Sequence, residues 1–290
     1  VPRQNLVTLL RGNIDRLSTS QRQMAEYVLR NYRDVAFMNV AQLATAAGVS
    51  PAAVVRFAVS LGFEGYPPFQ RALHAIIRSE LRQAERFTAT LDDAGSTLST
   101  RILSQELENL AALRAGLDRR ALETAIRRVV AARRVAIVGF RAAATLAHYA
   151  WYNLRKVKAD VALYTQPGSV TLDDLALAPA GTLVVLIAFP RYSRELIDTA
   201  EFARGVGFPL LGITNNELSP LTSVCPLCLL VEVGELSFTD FYAAPIALLN
   251  ALVAEVARRS RARALGRLTQ LDDLAAARGY LLGGRRTGEL

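Results

Sequence analysis

The chain has 290 residues, 51% of them apolar and 21% charged, and a formal net charge of +8. That length allows two domains with sizeable cores, and the composition is ordinary for a soluble globular protein. The longest apolar runs, "TLVVLIAF" and "AAPIALLNALVAEVA", fall short of a membrane span and fit a buried strand and a buried helix. The start, "VPRQNLVTLLRGN", lacks the long apolar stretch and small-residue cleavage site of a signal peptide, so a cytoplasmic protein with no membrane partner is expected.

The positive charge is front-loaded. Residues 1–86 carry eleven Arg against six acidic residues, a balance of +5, whereas residues 106–262 carry seventeen basic and fifteen acidic residues, a balance of +2. Such a distribution suits a phosphate-backbone partner, although scattered surface arginines would give the same count.

In chain order, "NLVTLLRGNIDRL" and "STSQRQMAEYVLRNY" have helical apolar spacing, the second with hydroxyl residues suited to capping. Residues 41–57, "AQLATAAGVSPAAVVRF", predict two short helices broken at Gly48. Leu43, Val49, Val54 and Phe57 form a seam between them, and Ala44 and Gly48 permit a close turn. Ser50 is a suitable N-cap and Pro51 a suitable first residue for the second helix, whose amino end would point outward. Gln42, Ser50, Pro51, Ala52, Ala53 and Arg56 fall on the exposed side or the leading end. A recognition helix enters the major groove of double-stranded DNA in this way, and an ordinary helical hairpin within a bundle is the alternative. A Gly/Pro-rich turn and a long helix follow, and then the polar stretch "TATLDDAGSTLST" as a domain boundary leading into a helical segment from about Arg101.

From Arg134 strands alternate with helices: "RVAIVGF", "DVALY", "TLVVLIAF", "FPLLGITN" and "CLLVEV" are strand candidates, with helices in "AAATLAHYAWYNLRKV", "SRELIDTAEFARGVG" and "FTDFYAAPIALLNALVAEVARRSR". This order implies a five-stranded parallel sheet in a three-layer α/β domain. In such sheets ligands bind beyond the carboxyl ends of the strands, which makes Gly139 to Thr145, Phe189 to Ser193 and Asn215 to Ser219 the candidate walls. Cys225 and Cys228 form a C-x-x-C, but His74 and His148 are far away in sequence. Residues three apart on a strand face opposite sides, so buried thiols are expected, with no metal site and no cofactor.

The run "VAQLATAAGVSPAAVVRFAVSLGFEGYPPFQ" resembles the helix-turn-helix domain of RpiR-type transcriptional regulators through its small-residue turn, Val49-Ser50, residues 54–57, Leu61-Gly62-Phe63 and Gly65-Tyr66 before Phe69. The chain departs from the family pattern at Ala53, where Thr is common, and at Ala58-Val59-Ser60, where basic residues are common. Fewer phosphate contacts from this helix would follow, with Arg56 and Arg71 carrying more of the affinity. The second half is similar to the SIS (sugar isomerase) domain such regulators carry as a sensor. The resemblance implies an all-α helix-turn-helix bundle over 1–87, a linker over 88–105, an SIS-like effector domain over 106–262, and a C-terminal helix and tail over 263–290. It also implies a homodimer or homotetramer on a duplex operator.

Sugar-phosphate-binding SIS domains usually show Gly-x-Gly-x-Ser in the first turn and Ser-x-Ser-Gly-x-Thr in the third. Here these become Gly139, Arg141 and Ala143, and Ala188, Pro190, Arg191 and Ser193. Hydroxyls are lost and two cations gained, so the expected effector is an anionic small metabolite: a sugar phosphate, sugar acid or other carboxylate. Gly139, Arg141, Ala143, Thr145, Phe189, Arg191, Tyr192 and Ser193 are the candidate effector residues. The arginines could instead pair with acids across a subunit interface. An SIS-type isomerase is the enzymatic alternative, for which only Glu235 and His148 offer acid–base groups, and an effector-independent DNA-binding protein is a third reading.

Overall fold

The computed structural model describes residues 18–80, 97–217, 219–234 and 239–279. The helix expected over "NLVTLLRGNIDRL", the polar residues 88–96, Glu235 and the tail lie outside the described residues.

The first region is helical: α1 (Thr19–Val35), α2 (Val40–Ala47), α3 (Pro51–Ser60) and α4 (Tyr66–Glu80). Their apolar faces share one core, in which Phe57 and Phe69 are fully buried and meet edge-on at 5.8 Å between ring centroids. Phe63 packs on Phe69 in the same manner at 5.5 Å. Leu43, Val54 and Phe57 are buried in the seam as expected, with Val49 half-buried against it. Helix α4 fixes how the chain enters α2. The buried Tyr66 hydroxyl reaches the Met38 carbonyl at 2.7 Å and the Val35 carbonyl at 3.2 Å, and Gln70 Nε2 donates to the carbonyls of Ala36 and Met38, both at 2.8 Å. Burial raises the Tyr66 phenol to about 12.

Helix α5 (Leu98–Gly116) starts within the stretch expected as a linker. Serine and threonine suit flexible linkers and helix caps alike, and here Thr97 is the N-cap. Helix α6 (Arg119–Ala131) was not separated from α5 by the apolar pattern; Asp118 caps it, accepting from the amides of Arg120 at 2.8 Å and Ala121 at 3.0 Å.

The second region is an α/β unit. Five parallel strands, β1 (Arg134–Val138), β2 (Val161–Tyr164), β3 (Thr182–Ile187), β4 (Leu210–Thr214) and β5 (Cys228–Leu230), lie in the order β2-β1-β3-β4-β5. The crossovers carry α7 (Ala143–Leu154), α8 (Ser169–Ala176) and α9 (Arg194–Gly205), with α10 (Ala243–Arg259) and α11 (Arg261–Arg278) closing the unit. Alternation along β1 divides the core into two layers. Val135 and Ile137 pack with α6, α7 and α10, while Ala136 and Val138 pack with α8 and α9. The Arg259 guanidinium forks onto both carboxylate oxygens of Glu123, joining α10 to α6. The short helix α8 went unseen in the sequence because eight residues fall short of the window over which a helical apolar period can be read.

The cysteines require a correction. Strand β5 begins only at Cys228, so Cys225 sits in the turn before it, and both belong to one apolar cluster rather than to opposite faces. Cys225 is buried and Cys228 half-buried, and both are free thiols. A hydrogen bond to Cys228, reinforced by burial, pushes the Cys225 thiol up, while the same bond lowers Cys228.

Candidate functional site

Helices α2 and α3 are joined by a turn that bends the chain by 97°, within the range of helix-turn-helix pairs. Gly48 makes the turn. It adopts φ +67°, its amide donates to the Thr45 carbonyl and that of Val49 to the Ala44 carbonyl at 2.9 Å, so α2 ends in a Schellman motif. A Cβ here would be strained by the backbone angle alone. At the other end of α2, Asn39 and Gln42 form a capping box: Asn39 Oδ1 accepts from the Gln42 amide at 2.9 Å and Gln42 Oε1 from the Asn39 amide at 2.8 Å. The side chain of Gln42, a candidate base reader by sequence, is therefore engaged in capping its own helix.

Helix α3 leads with its amino end exposed. Ser50 Oγ accepts from the Ala53 amide at 3.2 Å and Pro51 has no N–H, so Ala52 presents the leading amide of the turn. Ser50, Pro51, Ala52 and Arg56 are exposed, whereas Ala53 is half-buried at the side of the helix. Sequence reading passed over Val55 and Val59, which are 40% and 54% exposed. With 3.6 residues per turn, Ala52, Val55, Arg56 and Val59 form one stripe, opposite the buried Val54, Phe57, Ala58 and Leu61. The missed signal was positional, since both valines stand one or two places from core residues.

A second site lies where the strand order reverses, beyond the carboxyl ends of β1 and β3. Chains leaving adjacent strands there diverge to opposite faces of the sheet and open a crevice. The cleft of about 130 Å³ is lined by residues 140–143 after β1, by residues 187–191 with Ser193 and Leu196 after β3, and by Asp240 and Tyr242 before α10. Arg141 and Arg191 are the non-glycine residues described at positive φ, 56° and 63° respectively. A left-handed backbone costs an L-residue about 1–2 kcal/mol, and both residues that bear this cost face one cleft. The Tyr242 ring lies tilted against that of Phe189, with 5.7 Å between centroids. Burial and the neighbouring Asp240 raise its phenol, against the pull of Arg191. The Ser193 hydroxyl donates to Glu195 Oε2 at 2.5 Å and is the main cause of that carboxyl's lowered pKa, to which Arg141 also contributes.

The structure brings Arg141, Ala143, Phe189, Arg191 and Ser193 to the cleft and leaves three candidates out of its lining. Gly139 serves packing: a Cβ there would stand 2.7 Å from the Ala143 carbonyl oxygen and 2.8 Å from the Ala147 Cβ. Thr145 is exposed and donates to the Ala142 carbonyl at 2.7 Å. Tyr192 turns its hydroxyl to Asn215 Oδ1 at 2.5 Å. Of the Asn215–Ser219 wall, the described residues Asn215, Asn216, Glu217 and Ser219 are likewise outside the cleft lining, with Ser219 Oγ held by Thr214 Oγ1 at 2.6 Å. Asp240 and Tyr242 were missed because they come from a segment distant in sequence with no local motif. His148, one of the two acid–base candidates, lies exposed on α7 with its ring centroid 5.3 Å from that of Trp151. Among the described residues no cluster of three or more His, Cys, Asp or Glu could hold a metal ion, and no single helix is long and apolar enough to cross a membrane.

Comparison with known proteins places both sites in matched regions. Residues 4–80 match the helix-turn-helix domain of the rpiR family and residues 129–255 match the SIS domain. The HTH-type transcriptional regulator HexR of Pseudomonas aeruginosa is 30% identical over 245 residues, which is 82% of this chain and 82% of that relative. The chain belongs to the RpiR family of helix-turn-helix transcriptional regulators. Another RpiR-type relative, HexR of Escherichia coli, is 25% identical over 243 residues, 82% of this chain and 81% of its own. The sugar isomerase domain of an RpiR transcription factor from Sphaerobacter thermophilus shares the fold over 61% of this chain and 99% of its own, with a TM-score of 0.59 at 24% identity. The Vibrio vulnificus NanR protein, complexed with ManNAc-6P, does so over 94% of this chain and 98% of its own, with a TM-score of 0.58 at 22% identity. The RpiR-family chain thus joins a helix-turn-helix region to an SIS domain with a five-stranded parallel sheet.

Proposed function

We propose that the chain binds a duplex operator through α2 and α3, and that an anionic small metabolite in the cleft between β1 and β3 changes its affinity for that operator. Residues 1–87 form the DNA-binding part, residues 106–262 sense the effector, and two or four copies act together because helix-turn-helix operators repeat with the symmetry of the protein. The observation that carries this reading is the pair of arginines, Arg141 and Arg191, held in a strained backbone at one cleft in a chain whose other region is a helix-turn-helix. Strain of this kind persists where the surrounding structure over-determines it and clusters at ligand-binding and switch sites, and two guanidinium groups match a phosphate or carboxylate. The sugar phosphate named in the NanR complex supports that class of effector, with sugar acids and other carboxylates in the same class by charge. Relatives named as transcriptional regulators support a switch over an isomerase.

The test is to select duplexes from a random pool with the purified protein, then screen sugar phosphates and sugar acids for thermal stabilisation. A compound that raises Tm and shifts the selected duplex in a binding assay is the expected result. Conversion of a sugar phosphate to its isomer by the same protein would favour the enzymatic alternative.

A further inference from the structure

We infer that α3 reads thymine 5-methyl groups, and that Val55 and Val59 determine which A·T pairs are chosen. This rests on the proposed DNA binding and concerns how the same surface selects its sequence. The outward stripe of α3 consists of Ala52, Val55, Arg56 and Val59, with Pro51 at its leading edge. Four of these five side chains are apolar. Arg56 alone offers donors, and its planar fork suits the O6 and N7 acceptors of guanine. Reading adenine through N6 and N7 takes a carboxamide that both donates and accepts, and the stripe carries none. Gln42 on α2 has its carbonyl oxygen committed to the Asn39 amide at 2.8 Å.

In the major groove, the remaining distinguishing feature that an apolar side chain can recognise is the thymine methyl. The exposures of Val55 and Val59, 40% and 54%, leave their methyls outside the helical core and open to contact from another molecule. The occupant argued for is the edge of a duplex, because the stripe surrounds a guanidinium suited to a guanine edge and adjoins the positive end of the helix, which suits a flanking phosphate. A purely apolar protein surface would leave that cation without a counter-charge.

The experiment uses the full-length protein and a duplex selected from a random pool. Each thymine of one half-site is replaced in turn by uracil, which removes the 5-methyl and retains every hydrogen-bonding group. At one or two positions the substitution is expected to weaken binding about four-fold, the value of burying one methyl group. Val55→Ala or Val59→Ala should bind the thymine and uracil forms with nearly equal affinity while Tm stays unchanged. Equal binding of both forms by the unsubstituted protein at every thymine would overturn the inference and leave DNA binding standing. Failure to enrich any duplex would overturn DNA binding and this inference together.

Discussion

The two candidate sites are built in opposite ways. The helix pair is local: within about twenty residues, Asn39, Gly48, Ser50 and Pro51 each perform the capping or turning task that their chemistry dictates, and no strained side-chain-bearing residue is needed. The cleft is non-local. It gathers the turns after β1 and β3 with Asp240 and Tyr242 from a distant segment, and it holds two arginines at φ values that glycine would adopt freely. A relaxed site suits a rigid reading head, whereas a site that carries strain holds free energy that a bound ligand can offset.

The largest predicted effect separates the two regions. Phe57 is fully buried in the helical core, which shares no residue with the two core clusters of the sheet unit. Phe57→Ala should cost about 3–5 kcal/mol, abolishing duplex binding while the thermal transition of the sheet region is retained in calorimetry. A single transition shifted as a whole would show that the two regions unfold as one unit.

Arg56→Ala should weaken binding to a selected duplex by about 1–3 kcal/mol with Tm unchanged, because the residue is exposed. An unchanged affinity in fluorescence anisotropy would remove α3 from the interface. Tyr66→Phe, which removes the hydroxyl bound to the Met38 and Val35 carbonyls, should destabilise the helical region by about 1–3 kcal/mol. The loss has a pH signature. The folded phenol lies at about 12 against 10.0 unperturbed, so the protonated form is favoured by folding. Its contribution is complete below pH 10 and disappears as pH rises from 10 to 12. The stability gap between the native protein and Tyr66→Phe, followed by chemical denaturation, should narrow over that interval.

The smallest effect is the most diagnostic for the cleft. Arg141→Gly and Arg191→Gly each relieve a left-handed backbone while increasing the entropy of the unfolded chain, so Tm should move little, by the equivalent of about 1 kcal/mol or less. Stabilisation by an anionic ligand, measured as a thermal shift, should nevertheless vanish in both. Persistence of the shift in both variants would place the anion elsewhere.

The same contrast explains what the sequence could reveal. The five strands, their parallel order and the helix pair were legible because β-branched runs, Ser-Pro caps and a Gly turn act within a few residues. Arg141 and Arg191 were legible as cleft residues because each follows directly on a strand. Their left-handed backbone was not, since nothing in an arginine announces positive φ. At Gly139 the sequence could not separate two demands, because close packing on Ala143 and Ala147 and close approach to a ligand both ask for glycine. The hydrogen bond of Tyr192 was not legible because its partner, Asn215, lies on the next strand's loop. Val55 and Val59 were not singled out because an exposed valine beside the buried Val54 and Ala58 carries no motif of its own.

Coupling between the two regions is tested most directly by a reciprocal binding measurement on the full chain. The affinity for a selected duplex is measured by anisotropy with and without a stabilising anionic ligand, and the affinity for that ligand by calorimetry with and without the duplex. The account predicts one common factor in both directions, corresponding to about 1–3 kcal/mol. A ligand that occupies the cleft and leaves duplex affinity unchanged would contradict it.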